Sequence, residues 1–266
     1  MFAGDGNGDL SIPNLISIGS NSFGGYNKET CIGLKRVLNL GNITEIPNGI
    51  NISGGTFRNQ INLTDVNLPP TLTIIGNYAF YGCTSLVNIN IPKSIITIGE
   101  GAFAYCSLLN EDINLPNCTS IGASAFYSTK IKKVSNLGNI TAINHHTFYN
   151  CTSLVEFTDP ISNCTYDYNC FINCTSLTKI NISDNEKWFR NTFTSDTANP
   201  LRYAKNFYIN NELVDTMRVP SDLTTIGKYV LYGWNGTTVD FGDSLIETIG
   251  SYAFRDCTNL TNCNIP

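Results

Sequence analysis

The string Ile-Gly-x-x-Ala-Phe-x-x-Cys-x-x-Leu-x-x-Ile-x-Ile-Pro returns along this chain about every 23 residues. Self-similarity at a fixed short period belongs to stacked repeats, because one such unit cannot bury its own apolar face. The anchoring aromatics are Phe23, Phe57, Phe80, Phe103, Phe126, Phe148, Phe171 and Phe254, and Leu231 stands at the same place between the last two. Nine coils follow from this count, in one domain spanning 1–266.

The cleanest copy, Ile75 to Pro92, shows what one unit does. Leu86, Ile89 and Ile91 form an L-x-x-I-x-I run that predicts one short parallel strand per coil. Pro92 cannot donate to a ladder, so the strand ends there and the chain turns. Further on, the spacing of Ala102, Phe103 and Cys106 predicts a short helical or 3-10 turn on the opposite side, its apolar residues facing inward. Coils stacked at about 4.8 Å per rung share their stability, with a Phe ladder up the middle. The fold class is thus an α/β repeat solenoid, and Phe103, at mid-stack, is the position expected to suffer most from truncation.

Two places interrupt the period. The step from Phe23 to Phe57 is 34 residues, with extra residues at Gly24 to Glu29 and Pro47 to Ser53. Asn136 to Thr141 nearly repeats Asn39 to Thr44, so the register survives these loops. The larger break is the 60-residue step from Phe171 to Leu231, where residues 183–219 form a non-repeat island. It carries Trp188, Phe189, Phe193, Tyr203, Phe207 and Tyr208, and Phe207 to Val214 reads as a hairpin turning at Asn210-Asn211. These aromatics suit either a packing plug between two stacks of coils or a recognition surface at Trp188, Tyr203 and Tyr208; burial of Trp188 decides, and the plug is the favoured reading.

These motifs resemble the BspA-like leucine-rich repeat family, whose unit is I-P-x-x-[IVL]-T-x-I-G-x-x-A-F-x-x-C-x-x-L. The match covers Ile12 to Pro266 apart from the insertions and is sharpest at Leu68 to Cys106, Val219 to Leu231 and Ile249 to Leu260. The chain departs from the pattern with Thr129 and Trp234 at the Cys position, Tyr166 at the Ile position and Leu231 at the Phe position. The resemblance implies a right-handed leucine-rich-repeat superhelix. It also implies a microbial cell-surface or secreted adhesion module that binds host or cell-surface protein or glycan without catalysis.

Composition narrows the partners. A net charge of −5 with 14% charged residues lacks the clustered basic surface that nucleic acid or an anionic membrane requires. No run of about 18 apolar residues exists, which gives no membrane insertion, and Met1 to Leu10 lacks the features of a signal peptide. The sequence stops at Ile265-Pro266, where the next coil would begin, so a longer protein or a partner covering that end is expected, with self-association at open solenoid ends as one form of it.

Five of the ten cysteines, Cys83, Cys106, Cys151, Cys174 and Cys257, occupy one position of the repeat and read as a buried ladder of free thiols. Side chains that point the same way rarely meet the dihedral a disulfide needs. Cys164, Cys170 and Cys174, with Cys151 and His145-His146 nearby, lack tight zinc-ligand pairs. Asp5 to Asp9 opens like a calcium loop, but Leu10 and Ile16 stand where Gly and Glu are needed. No metal or cofactor is called for, and no catalytic constellation can be assembled from two adjacent histidines without a nucleophile elbow or a phosphate loop. Eleven Asn-x-Ser/Thr sequons, such as Asn42 and Asn117, are mostly compositional.

The solvent side of the stacked strands is the expected binding face: Lys35 and Arg36, Asp65, Asn88 and Asn90, Glu111 and Asp112, Lys132 and Lys133, Glu156, and Lys179. Their signs alternate, so cross-strand pairing explains them as well as a dedicated site does. A charged, amide-rich face gives weak contacts that multivalency must raise. A structural spacer or assembly subunit of a filament or virion, stacking through open ends, is the competing expectation.

Overall fold

A computed structural model of the chain describes residues 8–25, 33–49, 53–159 and 163–264. Parts of both loop insertions (26–29 and 50–52), the start of the calcium-like loop (5–7), Cys31 and the terminal Ile265-Pro266 lie outside the described residues. About eleven turns are stacked into a β-solenoid.

Each regular coil carries two short parallel strands, where the sequence suggested one. The first row runs through Asp9–Ser11, Arg36–Asn39, Asp65–Val66 and Asn88–Ile89, resumes at Ile113–Asn114 and continues through Lys133–Ser135, Glu156–Thr158, Lys179–Asn181 and Phe207–Ile209. The second row pairs Glu45–Ile46, Ile74–Ile75, Thr97–Ile98 and Ser120–Ile121, then Ala142–Ile143, Thr165–Tyr166 and Thr192–Phe193, and finally Thr225–Ile226 and Thr248–Ile249. The second strand arises because the T-x-I segment after each proline alternates: Ile98 is buried while Thr97 faces out. Two residues suffice for pairing when the same two recur one coil away.

The third side is not helical in the regular coils, which corrects the expected helical turn. Backbone N–H groups there alternate direction. Ala102, Ala104 and Cys106 bond back within the turn to Gly99, Gly101 and Phe103 (3.3, 3.1 and 3.1 Å), while Phe103 and Tyr105 reach forward to Ala125 and Tyr127 (both 2.8 Å). Such alternation needs left-handed residues two before and two after each ring, as Gly101 (φ 57°) and Tyr105 (φ 62°) flank Phe103, and His146 (φ 58°) and Asn150 (φ 59°) flank Phe148. A non-glycine residue there costs about 1 kcal/mol or more; the inter-coil hydrogen bonds it permits offset this. Apolar residues spaced at three and four mimic a helix in sequence because the turn also returns to the core at that interval.

The Phe ladder is present. Phe23, Phe57, Phe80, Phe103, Phe126, Phe148 and Phe171 stack in succession with centroids 5.1 to 5.7 Å apart. Coils come this close because glycine follows the second strand: a Cβ on Gly122 would lie 2.3 Å from the backbone nitrogen of Glu100.

The island is non-repetitive in sequence yet builds a coil. Thr192–Phe193 pairs with Thr165–Tyr166, and Phe207–Ile209 pairs with Lys179–Asn181. Its two four-residue helices, Asn185–Trp188 and Leu201–Ala204, and the 3-10 turn Asp196–Ala198 replace the usual turns. The hairpin closes at Asn210-Asn211, both left-handed, and Phe207–Ile209 pairs antiparallel with Glu212–Val214. The chain then passes into Thr216–Arg218, the first strand of a sheet completed by Thr238–Asp240 and Asn262–Cys263.

Candidate functional site

Parallel register lines up the charged residues expected on the first-row face. Asp9, Arg36, Asp65 and Asn88 lie opposite one another in turn, and so do Lys133, Glu156 and Lys179. The groups partner each other. Arg36 grips Asp9 through both guanidinium arms, Asn88 donates to Asp65 at 2.7 Å, and Lys133 meets Glu156 at 2.9 Å. Hydrogen bonds from Thr64 and Asn88 hold the Asp65 carboxyl below the usual range. Burial opposes the charge on Glu156, yet Lys133 and Asn181 pull it below the usual range too. Lys179 donates to Asn211 and lies 5.2 Å from the Tyr208 ring centre. Lys35, Asn90, Asp112 and Lys132 are exposed, and Glu111 is half-buried where pairing between Asn88–Ile89 and Ile113–Asn114 lapses. Asn90 is spent on the backbone of Leu68. This face is largely a set of straps across the strands.

The three island aromatics separate. Trp188 is fully buried, touching Phe193 and Phe207 and donating to the Val230 carbonyl at 2.6 Å, so it is the plug. Tyr203 is half-buried with its hydroxyl accepting from the Asn173 amide at 2.9 Å, and Tyr208 stays half-buried on the strand face. Nearby, Tyr166 donates to Asp159, which also receives Asn191; burial pushes the Asp159 carboxyl up to about 7.

The nine described cysteines are free thiols. Cys83, Cys106, Cys151 and Cys174 each donate at 3.1 Å to the carbonyl of the ring residue one coil back, Phe57, Phe80, Phe126 and Phe148, and Cys257 does so to Leu231 at 2.9 Å. Thr129 keeps a hydroxyl at the same place, bonded to its own turn at Phe126. Burial pushes the Cys151 thiol up to about 12. Iodoacetamide at pH 8 should therefore leave Cys106, Cys151 and Cys174 unmodified in the native chain and label them after denaturation; peptide mass spectrometry reads this, and rapid native labelling would refute the ladder. Among the described residues, no group of three or more His, Cys, Asp or Glu is placed to hold a metal ion.

What the sequence reading missed lies on the turn side. Tyr81, Tyr127 and Tyr149 follow their Phe directly and Tyr105 follows by two, so successive coils deliver tyrosines to one column. Ring centroids step 5.2, 5.0 and 4.7 Å from Tyr81 to Tyr105, Tyr127 and Tyr149. His146 closes on Tyr149 at 5.3 Å and on Tyr168 at 5.6 Å, and His145 stacks flat on Tyr168. Arg58 caps Tyr81, 4.0 Å above its ring. Tyr105 is 42% exposed and Tyr168 46%, while Tyr81, Tyr127 and Tyr149 are half-buried. Burial, with neighbouring phenols, pushes Tyr127 up to about 12, so its hydroxyl remains a donor. Tyr81 and Tyr105 meet edge to face at 65°, and beside the pair lies a groove of about 340 Å³ lined also by Asn59, Gly82, Thr84 and Ser107. The available signal was the tyrosine beside the repeat phenylalanine; it read as core spacing.

Among solved structures, the chain is similar to a leucine-rich repeat protein of T. pallidum (23% identity, 64% of this chain and 78% of that one, TM-score 0.52), which supports the solenoid fold. It is also similar to a leucine-rich repeat protein of Bacteroides ovatus (17%, 100% and 76%, TM-score 0.43) and to a leucine rich cell surface protein of Faecalibacterium prausnitzii (16%, 96% and 86%, TM-score 0.43). No curated protein matches the sequence significantly. The family model of the BspA type leucine rich repeat region matches six copies, over residues 35–155, 119–206 and 203–266. With that match spread along most of its length, and with the ring, glycine and cysteine of the regular copies performing the packing described above, the chain belongs to the BspA type leucine-rich repeat family.

Proposed function

We propose that this chain is a non-catalytic adhesion module of a microbial cell-surface or secreted protein, and that it holds a protein partner along the tyrosine column of its turn side. One observation carries this: the charged strand face spends many of its side chains on cross-strand pairs, whereas the column presents a run of stacked tyrosine rings that is exposed at Tyr105 and Tyr168. Tyrosine is favoured at interfaces because it brings contact area and a hydrogen bond at low entropic cost. Membership of the repeat family supports the interaction role. No helix among the described residues is long and apolar enough to cross a membrane.

A single column gives weak contacts, so adhesion depends on many copies. Microspheres coated with the chain should adhere to epithelial or bacterial monolayers well above microspheres coated with an unrelated solenoid. The double variant Tyr105→Asn, Tyr149→Ala should lose most of that adhesion, and Lys133→Ala with Glu156→Ala should keep it. Adhesion equal to that of the control microspheres defeats the reading, and loss only in the Lys133 and Glu156 variant moves the site to the strand face.

A further inference from the structure

We propose that the groove beside Tyr81 and Tyr105 takes a proline-rich extended segment of the partner, followed by an acidic residue. The inference rests on the adhesion reading above and names its ligand class.

Three features of the groove select this occupant. Its walls are mostly apolar and include two tyrosine rings in edge-to-face contact, with the hydroxyls of Thr84, Ser107 and the two phenols and the buried Asn59 as polar lining. Aromatic-walled slots of this kind accept proline rings, and proline-rich chains arrive already in the polyproline II form, so little entropy is lost on docking. A pyranose, by contrast, presents a dense set of hydroxyls for which this lining has few partners.

The second feature is a match of repeats. Polyproline II returns to the same face after three residues, about 9.3 Å at roughly 3.1 Å each. Two solenoid rungs span about 9.6 Å at roughly 4.8 Å each. A proline at every third position therefore keeps step with column rings two coils apart, from Tyr81 to Tyr127 and from Tyr105 to Tyr149.

The third feature is charge. Thr84 and Ser107 occupy one position of successive coils, and the next residue in that series is Lys130, exposed, with its ammonium on Thr152 at 2.7 Å. Lys130 starts one coil past the groove wall and carries its ammonium a coil further, to Thr152, which suits a carboxylate following the proline run.

The test is fluorescence anisotropy with the intact chain and four probes: a labelled oligoproline ending in aspartates, the same peptide ending in lysines, a glycine-serine peptide of equal length ending in aspartates, and chitohexaose as a competitor. The aspartate-ended oligoproline should bind best, its advantage over the lysine-ended one shrinking as salt is raised. Tyr105→Asn should weaken it about tenfold or more. Asparagine suits the left-handed backbone at Tyr105 (φ 62°), so this variant keeps its fold, and Tyr252→Asn, at another left-handed tyrosine in a distant coil (φ 62°), should bind like the parent. Lys130→Ala should abolish the preference for the aspartate end. Absence of oligoproline binding, equal binding of the glycine-serine peptide, indifference to Tyr105→Asn, or displacement by chitohexaose would each overturn the assignment. Coated microspheres that adhere but ignore excess oligoproline would overturn this ligand class and leave the adhesion reading standing; microspheres that do not adhere remove the reading beneath it.

Discussion

Replacing Phe103 by Ala is expected to lower the unfolding free energy by about 3 to 5 kcal/mol, the range for emptying a fully buried aromatic site. Phe103 has no exposed surface and is stacked on both faces, against Phe80 at 5.5 Å and 2° and against Phe126 at 5.5 Å and 12°. Removing it leaves both neighbours facing a void that cannot collapse, because the backbone on either side is fixed by hydrogen bonds from Phe80 to Ala102 and from Phe103 to Ala125. In a one-dimensional stack, stability is a sum over coils and their interfaces, so one ring lost at the centre weakens two interfaces at once. Phe254 is only partly buried and should cost far less when truncated. Urea denaturation of both variants measures this. A loss below about 1 kcal/mol for Phe103→Ala, or equal losses for the two, would show that the ladder is not what couples the coils.

The ladder was legible because a ring that must stack on its copy one coil away imposes a strict period. The cysteine position was legible as buried for the same reason, though its hydrogen bond to the carbonyl one coil back was not, since only the stacked geometry brings sulfur and oxygen together. The second strand row was hidden by its length. A run such as Thr97–Ile98 carries one buried side chain, and one alternation is no pattern. The turn side misled more actively: Ala102, Phe103 and Cys106 sit at helical spacing, while the residues that forbid a helix, Gly101 and Tyr105, reveal themselves only through φ angles of 57° and 62°. Lys133, Glu156 and Lys179 lie in register on neighbouring first-row strands, where Glu156 takes Lys133 as its partner, a pairing that the sequence pattern alone does not fix. The tyrosine column escaped because Tyr81, Tyr105, Tyr127 and Tyr149 are not at one fixed offset from their phenylalanines, and a column that drifts in sequence lines up only once the coils are stacked.

Replacing Trp188 by Ala should cost about 3 to 5 kcal/mol and also split unfolding into two steps. The second-row strands Thr192–Phe193 and Thr225–Ile226 belong to separate sheets, with a groove between them lined by Phe193, Thr194, Ile226 and Gly227. The two stacks of coils are therefore joined here by side chains more than by a ladder. Trp188 is the largest of these. Its indole donates to the Val230 carbonyl, while its rings pack on Tyr166 of the preceding coil and on Phe193 and Phe207 of the island. Asn199 reaches Tyr229 at 2.6 Å, and Arg190 reaches Asp222 at 2.6 Å, but the second pair is exposed and adds little. Without the indole, the nearest-neighbour term at this joint falls below those on either side, and the coils after it lose the cooperative support of the longer stack. The chain has two tryptophans, so in Trp188→Ala the fluorescence comes from Trp234 alone, which sits beyond the joint. Its transition should precede the loss of total circular dichroism signal, whereas in the parent chain the two probes coincide. Trp188→Phe should fall between, keeping ring contact while removing the donor to Val230. Coincident transitions in Trp188→Ala would mean that the hairpin and the first-row strands, not the plug, hold the two stacks together.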